Sequence, residues 1–105
     1  MYRHVVLYSW KSSLTFDEIA VIYQELDEIS AKLPGRLSYT WGTNVSEQGI
    51  AKGYTHCLVT DFADKAGLDY FVNDPARKAL SVNKVVPNMV DGINSIVAFD
   101  FIWTS

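Results

Sequence analysis

Two histidines and one aspartate are the residues of this chain best suited to proton transfer. His4, His56 and Asp100 each lie in a segment with the apolar or alternating character of a β-strand. A carboxylate beside an imidazole fixes one tautomer and leaves the other ring nitrogen free to bind a ligand or to move a proton. A polar ladder that fixes strand register uses the same residue types, so both interpretations stay open.

The same three side chains have the composition of a metal site with two histidines and one carboxylate. Such a site suits non-haem iron and other divalent metals. The three residues come from distant segments, however, and show no local ligand spacing. We therefore expect neither a metal nor another cofactor.

Hydrophobic periodicity predicts the elements that position these residues. Alternation predicts a first strand from Tyr2 to Trp10. A capping box of Thr15 and Glu18 then opens a helix that stops at Pro34. The remaining strands are predicted over 37–42, after Gly53 and over 95–103. One helix is predicted to begin after Asp64 and run to Val72, and another to begin after Asp74 and run to Val85.

This order of elements is that of the ferredoxin-like split βαβ fold, in the α+β class. The fold has an antiparallel four-stranded sheet with helices on one face. With 105 residues, the chain has room for a single domain over 1–105. In this fold the third and fourth strands flank the first, so alternation places His4, His56 and Asp100 on the face towards the helices.

The opposite face of the sheet is also predicted to be apolar. Helices cover only one face, and a second copy of the same sheet is the economical cover for the other. We therefore expect a homodimer through this face, in preference to packing under the chain's own short loops. The residues of this face are Val5, Leu7, Val59, Val97, Phe99, Phe101 and Trp103.

Several motifs are spread along nearly the whole chain. They are Trp41-Gly42, the loop 44–49, Gly53-Tyr54-Thr55-His56, Asp74-Pro75-Ala76 and Phe99-Asp100-Phe101. Together they resemble the stress-responsive A/B barrel domain (Dabb) family and, more distantly, the plant polyketide cyclase olivetolic acid cyclase. The resemblance implies a dimeric α+β barrel of two sheets packed face to face. It does not imply one function, because some members have no assigned reaction.

The resemblance also bears on Tyr70 and Arg77. In cyclase-like members a histidine removes a proton next to a carbonyl, and a tyrosine hydroxyl stabilises the oxyanion. Tyr70 matches that tyrosine, whereas Arg77 stands at the histidine position and stays protonated, so it cannot be the base. This alternative therefore relies on His4, His56 and Tyr70 for catalysis, with Arg77 binding a carboxylate or enolate. A core aromatic at 70 and a surface arginine at 77 are the structural alternatives.

A ligand site between sheet and helices is the favoured functional hypothesis. Aromatic walls with a few polar groups suit a small aromatic or polyketide-like ligand, although the same stripe describes a filled core. We expect a dimeric ligand-binding protein without an established reaction; the alternatives are a cofactor-independent cyclase or lyase and a monooxygenase of the wider superfamily. The expected lining residues are Tyr8, Tyr23, Leu26, Tyr39, Leu58, Tyr70, Arg77, Leu80 and Asp100.

Charge and cysteine content indicate which partners and which cellular compartment to expect. The net charge of −3 argues against nucleic acid and anionic membranes as partners. Cys57 is the only cysteine, which excludes an intrachain disulfide, and alternation turns it to the dimer side as a small buried hydrophobe. The sequence shows neither a signal-peptide core nor an apolar stretch of bilayer length. We therefore expect a cytoplasmic protein.

Overall fold

The computed structural model describes residues 1–104, and its elements follow the predicted order. The strands are β1 (Tyr2–Tyr8), β2 (Arg36–Thr43), β3 (His56–Phe62) and β4 (Ile96–Ile102), and the helices are α1 (Phe16–Ala31), α2 (Lys65–Asn73) and α3 (Pro75–Leu80). A π-helical turn over Ser81–Val85 and 3-10 turns over Val86–Asn88 and Gly92–Ser95 join α3 to β4. The α+β class is confirmed.

The sheet is antiparallel throughout, with strand order β2-β3-β1-β4. In the centre, Val5 of β1 pairs with Val59 of β3 on one side and with Phe99 of β4 on the other. We call the face that carries His4 and Tyr8, which packs on the helices, the inner face. The outer face carries Val5 and its two partners. This is the predicted ferredoxin-like sheet.

Helix α1 covers much of the inner face. It begins with the predicted capping box, in which Glu18 N donates to Thr15 Oγ1 at 3.1 Å and Thr15 N donates to Glu18 Oε1 at 3.0 Å. One side of the helix is buried in the core, where each large apolar side chain contributes roughly 1.5–3 kcal/mol. The apolar residues on that side are Ile19, Ile22, Tyr23 and Leu26.

Asp74 joins α2 to α3 with almost no intervening loop. Its backbone N–H donates to Phe71 O at the end of α2, and its carboxylate accepts a hydrogen bond from Arg77 N at 3.0 Å. Pro75 then supplies a first helical position that needs no N–H donor. The chain direction between the helices, and with it the position of Arg77, is therefore set by one residue.

Two predicted boundaries are wrong. The last helix was expected to reach Val85, but α3 ends at Leu80 and the chain widens into the π-helical turn before Pro87, which has no N–H to continue a helix. The first strand was expected to reach Trp10 but ends at Tyr8. Beyond Tyr8, the backbone N–H of Ser9 donates to Ser95 O, just before β4, and Trp10 forms an isolated β-bridge with Met89.

The α1–β2 turn lies directly against α2. Gly35 has a φ of +94°, and a Cβ there would lie 2.9 Å from the Cα of Gly67 in α2. Its carbonyl also accepts a hydrogen bond from Ala63 N at 2.9 Å. Glycine is needed at this turn for both reasons, the left-handed backbone and the close approach.

The outer face is apolar, as predicted, with one ion pair embedded in it. Phe99 is 63% exposed, and Val97 and Phe101 beside it are also exposed. Arg3 Nε lies 2.8 Å from Asp61 Oδ1, and this bond lowers the pKa of the Asp61 carboxyl. Along residues 1–104, none of the helices has the length and apolar character needed to cross a membrane.

Candidate functional site

A cavity of about 340 Å³ lies between the inner face and the α2–α3 region. Strands β1, β3 and β4 form its floor, and its walls come from α1, α2 and the segment that follows α2. The apolar lining residues are Val6, Leu26, Leu58, Phe71, Val72, Leu80, Val85, Ile93, Ile96 and Ala98. The polar lining residues are His4, Tyr8, Arg77, Ser81 and Asp100.

His4 and Asp100 form a hydrogen-bonded pair in the cavity floor. They are direct partners in the β1–β4 register, and His4 Nδ1 bonds to Asp100 Oδ1. The His4 side chain is 9% exposed, and the edge of its ring meets Phe71 with ring centroids 5.6 Å apart. A carboxylate at Nδ1 favours the proton there, so neutral His4 presents Nε2 as an acceptor or base.

Tyr8 and Arg77 provide donors in the same cavity. Burial raises the pKa of the Tyr8 hydroxyl, while the nearby charge of Arg77 acts in the opposite direction. The hydroxyl therefore stays protonated and can donate a hydrogen bond. The Arg77 guanidinium carbon lies 5.5 Å from the centroid of the Phe71 ring, and Nη2 donates to Val72 O at 2.9 Å.

His56 lies in a different environment. In the β1–β3 register His4 pairs with Thr60 while His56 pairs with Tyr8, so the two histidines are about 13 Å apart along the sheet. Both are on the inner face with Asp100, as expected. The expectation that both histidines border one ligand space is wrong, because four residues of strand separate them.

His56 packs among aromatic rings and hydroxyl groups, and it also borders a surface depression under the β2–β3 loop. Its Nδ1 lies 2.8 Å from Thr55 Oγ1, and its ring centroid is 6.2 Å from that of Tyr23 and 6.3 Å from that of Trp41. Burial lowers the pKa of His56. At neutral pH the imidazole is therefore uncharged, and it fits between aromatic rings.

The register also separates the residues considered as a metal triad. His4 and Asp100 meet in the cavity, whereas His56 lies among aromatic rings towards the other end of the strands. Within residues 1–104, no group of three or more His, Cys, Asp or Glu side chains is placed to hold a metal ion. The three residues do not form a facial triad.

Tyr70 does not reach the cavity. It is 57% exposed and lies in a surface groove beside Asp69 and Asn73. Phe71, the next residue of α2, is buried and lines the cavity instead. The expected convergence of Tyr70 with the histidines is wrong, because one step along a helix turns a side chain by roughly 100°.

The other predicted ligand residues divide into two groups. Tyr23 and Tyr39 are not in the cavity lining, contrary to expectation. Tyr23 stacks on Trp41 with centroids 4.5 Å apart and accepts a bond from Trp10 Nε1 at 3.1 Å, while Tyr39 OH donates to Tyr23 O at 2.7 Å. These two tyrosines pack the core next to His56. The predicted residues that do line the cavity are Tyr8, Leu26, Leu58, Arg77, Leu80 and Asp100.

Sequence reasoning missed several lining residues. Phe71 has a usable signal, since Leu68 and Phe71 are spaced as one face of α2 and are both buried. Ser81, Val85 and Ile93 have none, because they belong to the π-helical and 3-10 turns, which lack an α-helical or strand period.

A second and larger depression of about 630 Å³ lies by the outer face, under the β2–β3 loop. Leu7, Cys57 and Val59 are on its sheet side. Cys57 therefore faces away from the helices, as predicted, and burial raises the pKa of its thiol. The depression is remote from the His4–Asp100 pair, and it opens on the surface for which a second copy was expected.

Comparisons with known proteins agree with this fold. Residues 2–103 match the model of the stress responsive A/B barrel domain family, Dabb. A stress-response A/B barrel domain-containing protein of Arabidopsis thaliana is 24% identical over 75 residues, which cover 71% of this chain and 69% of that protein.

Two solved structures share the fold over almost the whole chain. A dimeric ferredoxin-like protein of unknown function from a Jannaschia species superposes with a TM-score of 0.85 at 22% identity, covering 97% of this chain and 98% of that one. A hydroxynitrile lyase of Passiflora edulis superposes with a TM-score of 0.80 at 23% identity, covering 98% and 93%. At such identities the likeness establishes a common fold and leaves function to be argued from the site.

Proposed function

Because this chain belongs to the stress-responsive A/B barrel domain family, Dabb, we propose that it binds a small apolar or aromatic molecule in the cavity beside His4. The observation that carries the proposal is the cavity itself, about 340 Å³ of space where a filled core was the alternative. Its walls are apolar, with a few convergent polar groups. Ligand sites typically have this composition and a volume of roughly 300–1,000 Å³.

The proposal includes a homodimer through the outer face. Phe99 and its neighbours leave an apolar sheet surface exposed, with the Arg3–Asp61 pair as its charged feature. Apolar surfaces of this kind normally mark an interface, and an isologous pair of sheets covers both copies at once. The Jannaschia protein with the same fold is described as dimeric, which supports the same arrangement here.

The test of ligand binding uses neutral aromatic probes and one variant that fills the cavity. Indole, 2-naphthol and 4-phenylbutan-1-ol are screened by thermal unfolding and by NMR of the labelled protein. A bound probe raises the melting temperature because it binds only the native state. Ala98→Phe places a ring in the cavity lining without removing a hydrogen-bonding group, so it should abolish the stabilisation by the probes.

Ala79→Phe, at an exposed position of α3 outside the cavity lining, is the matched control and should leave binding unchanged. The shifts in the NMR spectrum should map to residues around His4 and Phe71. If neither these probes nor 4-phenylbutanoate shifts these residues, or if Ala98→Phe binds probes as well as the wild type does, the cavity is not a ligand site.

A cofactor-independent lyase or cyclase is the second candidate, favoured by the His4–Asp100 pair. His4 Nε2 would take a proton from the carbon next to a ligand carbonyl, and the Tyr8 hydroxyl would stabilise the enolate oxygen. Tyr8 thereby takes the role that the resemblance to cyclase-like members implied for Tyr70. The test is deuterium exchange into 4-phenylbutan-2-one in D₂O, followed by NMR. The wild type should accelerate exchange and His4→Gln should not; equal rates would exclude this candidate.

A further inference from the structure

Arg77 is placed differently from the other two arginines of the chain. Arg3 and Arg36 each pair with an aspartate, Asp61 and Asp27. Within residues 1–104, Arg77 forms no such ion pair, and its Nε is buried without a hydrogen-bond partner. A buried donor left without a partner is costly, and more so when it carries charge. Because the guanidinium borders the cavity and no carboxylate within residues 1–104 pairs with it, its terminal N–H groups can bind an anion there.

The groups around Arg77 do not supply the missing acceptor. The Asp74 carboxylate accepts the Arg77 backbone N–H at the start of α3. The Asp100 carboxylate is bonded to His4 and is 42% exposed, so water screens it. Tyr8 is a protonated hydroxyl and brings a further donor. The cavity therefore has an arginine and a phenol on its walls, and within residues 1–104 neither Asp74 nor Asp100 forms an ion pair with the arginine.

We infer that the ligand of this cavity is a monocarboxylic acid with an apolar or aromatic body. Its carboxylate would accept hydrogen bonds from Arg77 and from the Tyr8 hydroxyl, and its body would lie against Phe71 and the apolar walls. This inference rests on the proposed function and names the ligand class for the same cavity. A carboxylate matches both the single charge and the planar fork of the guanidinium. A neutral ligand would leave the charge of Arg77 unpaired.

The experiment compares two ligands of equal size that differ in charge, 4-phenylbutanoate and 4-phenylbutanamide, by isothermal titration calorimetry. For the wild type we expect the acid to bind roughly 10-fold tighter or more, the range of a charge-assisted hydrogen bond. Arg77→Met keeps an unbranched apolar stem but removes the charge, and it should bring the two affinities together. Lys78→Met removes a neighbouring exposed cation outside the lining and should keep the preference.

Equal affinities of the two ligands for the wild type would overturn the inference, as would a preference that survives in Arg77→Met. Should Arg77→Met not fold, the wild-type comparison still decides, and Arg77→Lys must retain a smaller preference. If the amide binds as tightly as the acid, and Ala98→Phe blocks this binding, the inference is overturned and the proposed function stands. If neither ligand nor any neutral probe binds, both fail.

Discussion

His4 and His56 are the same residue type on neighbouring strands, yet their surroundings give them opposite chemistry. His4 faces the carboxylate of Asp100, which holds the ring proton at Nδ1 and orients the ring. His56 faces hydroxyl oxygens and aromatic rings, and burial lowers its pKa. One histidine is therefore equipped to exchange protons, while the other is held neutral as part of the core.

The lowered pKa of His56 predicts a pH dependence of stability. The unfolded chain keeps the ordinary histidine pKa of about 6.5. As pH falls below that value the unfolded state takes up a proton that the native state resists, so the free energy of unfolding decreases until the native pKa is passed. His56→Gln should remove this part of the decrease. The measurement is urea unfolding of wild type and variant, near pH 7 and near pH 5.

A wild-type loss of stability no larger than that of His56→Gln over this range would contradict the assignment. The comparison is internal, since every other titrating group is shared by the two proteins. The absolute stability of the variant does not enter, because only its change with pH is compared.

Residue placement could be predicted only where strand order determines it. The pairing of His4 with Asp100 follows from β4 lying beside β1, which the order of elements implies. The separation of His56 from His4 depends on the strand register. Alternation in the sequence predicts which face of the sheet a residue lies on, but it does not predict which residue of the next strand lies beside it. Tyr70 was assigned to the site by resemblance. The positions of the buried Leu68 and Phe71 on α2 would instead have predicted that Tyr70 points to the surface.

At the level of elements, the parts with a regular period were predicted and those without one were not. The capping box at Thr15 and the Asp74-Pro75 start of α3 are local signals, and both are present. Within the segment 81–95, Ser81 and Val85 of the π-helical turn and Ile93 of the second 3-10 turn form part of the cavity wall. Such turns depend on tertiary packing, so the sequence predicted a longer helix and gave no sign of an open cavity.

The close approach of Gly35 and Gly67 is another feature of this kind. The left-handed backbone explains the glycine at 35, but only the packing of the α1–β2 turn on α2 shows why neither position has room for a side chain. This contact fixes where α2 lies over the sheet. Phe71, which borders the cavity from α2, depends on it.

At the level of the whole molecule, the outer face predicts the assembly. The wild type should sediment as a dimer. Phe99→Asp should shift it towards the monomer, because burying a charge without a partner costs several kcal/mol. The measurement is sedimentation velocity over a range of protein concentrations.

Val82→Asp is the matched control, since Val82 is 68% exposed in the π-helical turn, away from the sheet. It should remain dimeric. A Phe99→Asp protein that sediments as the wild type does would place the interface elsewhere on the molecule and leave the apolar outer face unexplained.

The strand order has a consequence for the synthesis of the protein. Of the four strands β1 leaves the ribosome first, yet its place is inside the sheet, between β3 and β4. His4 must wait for Asp100, 96 positions later, before their bond can form. Contacts between such distant residues are slow to form, since the entropy of closing the intervening chain is lost before they stabilise it. The nascent domain therefore carries an open strand edge until β4 emerges, and its cavity floor is completed last.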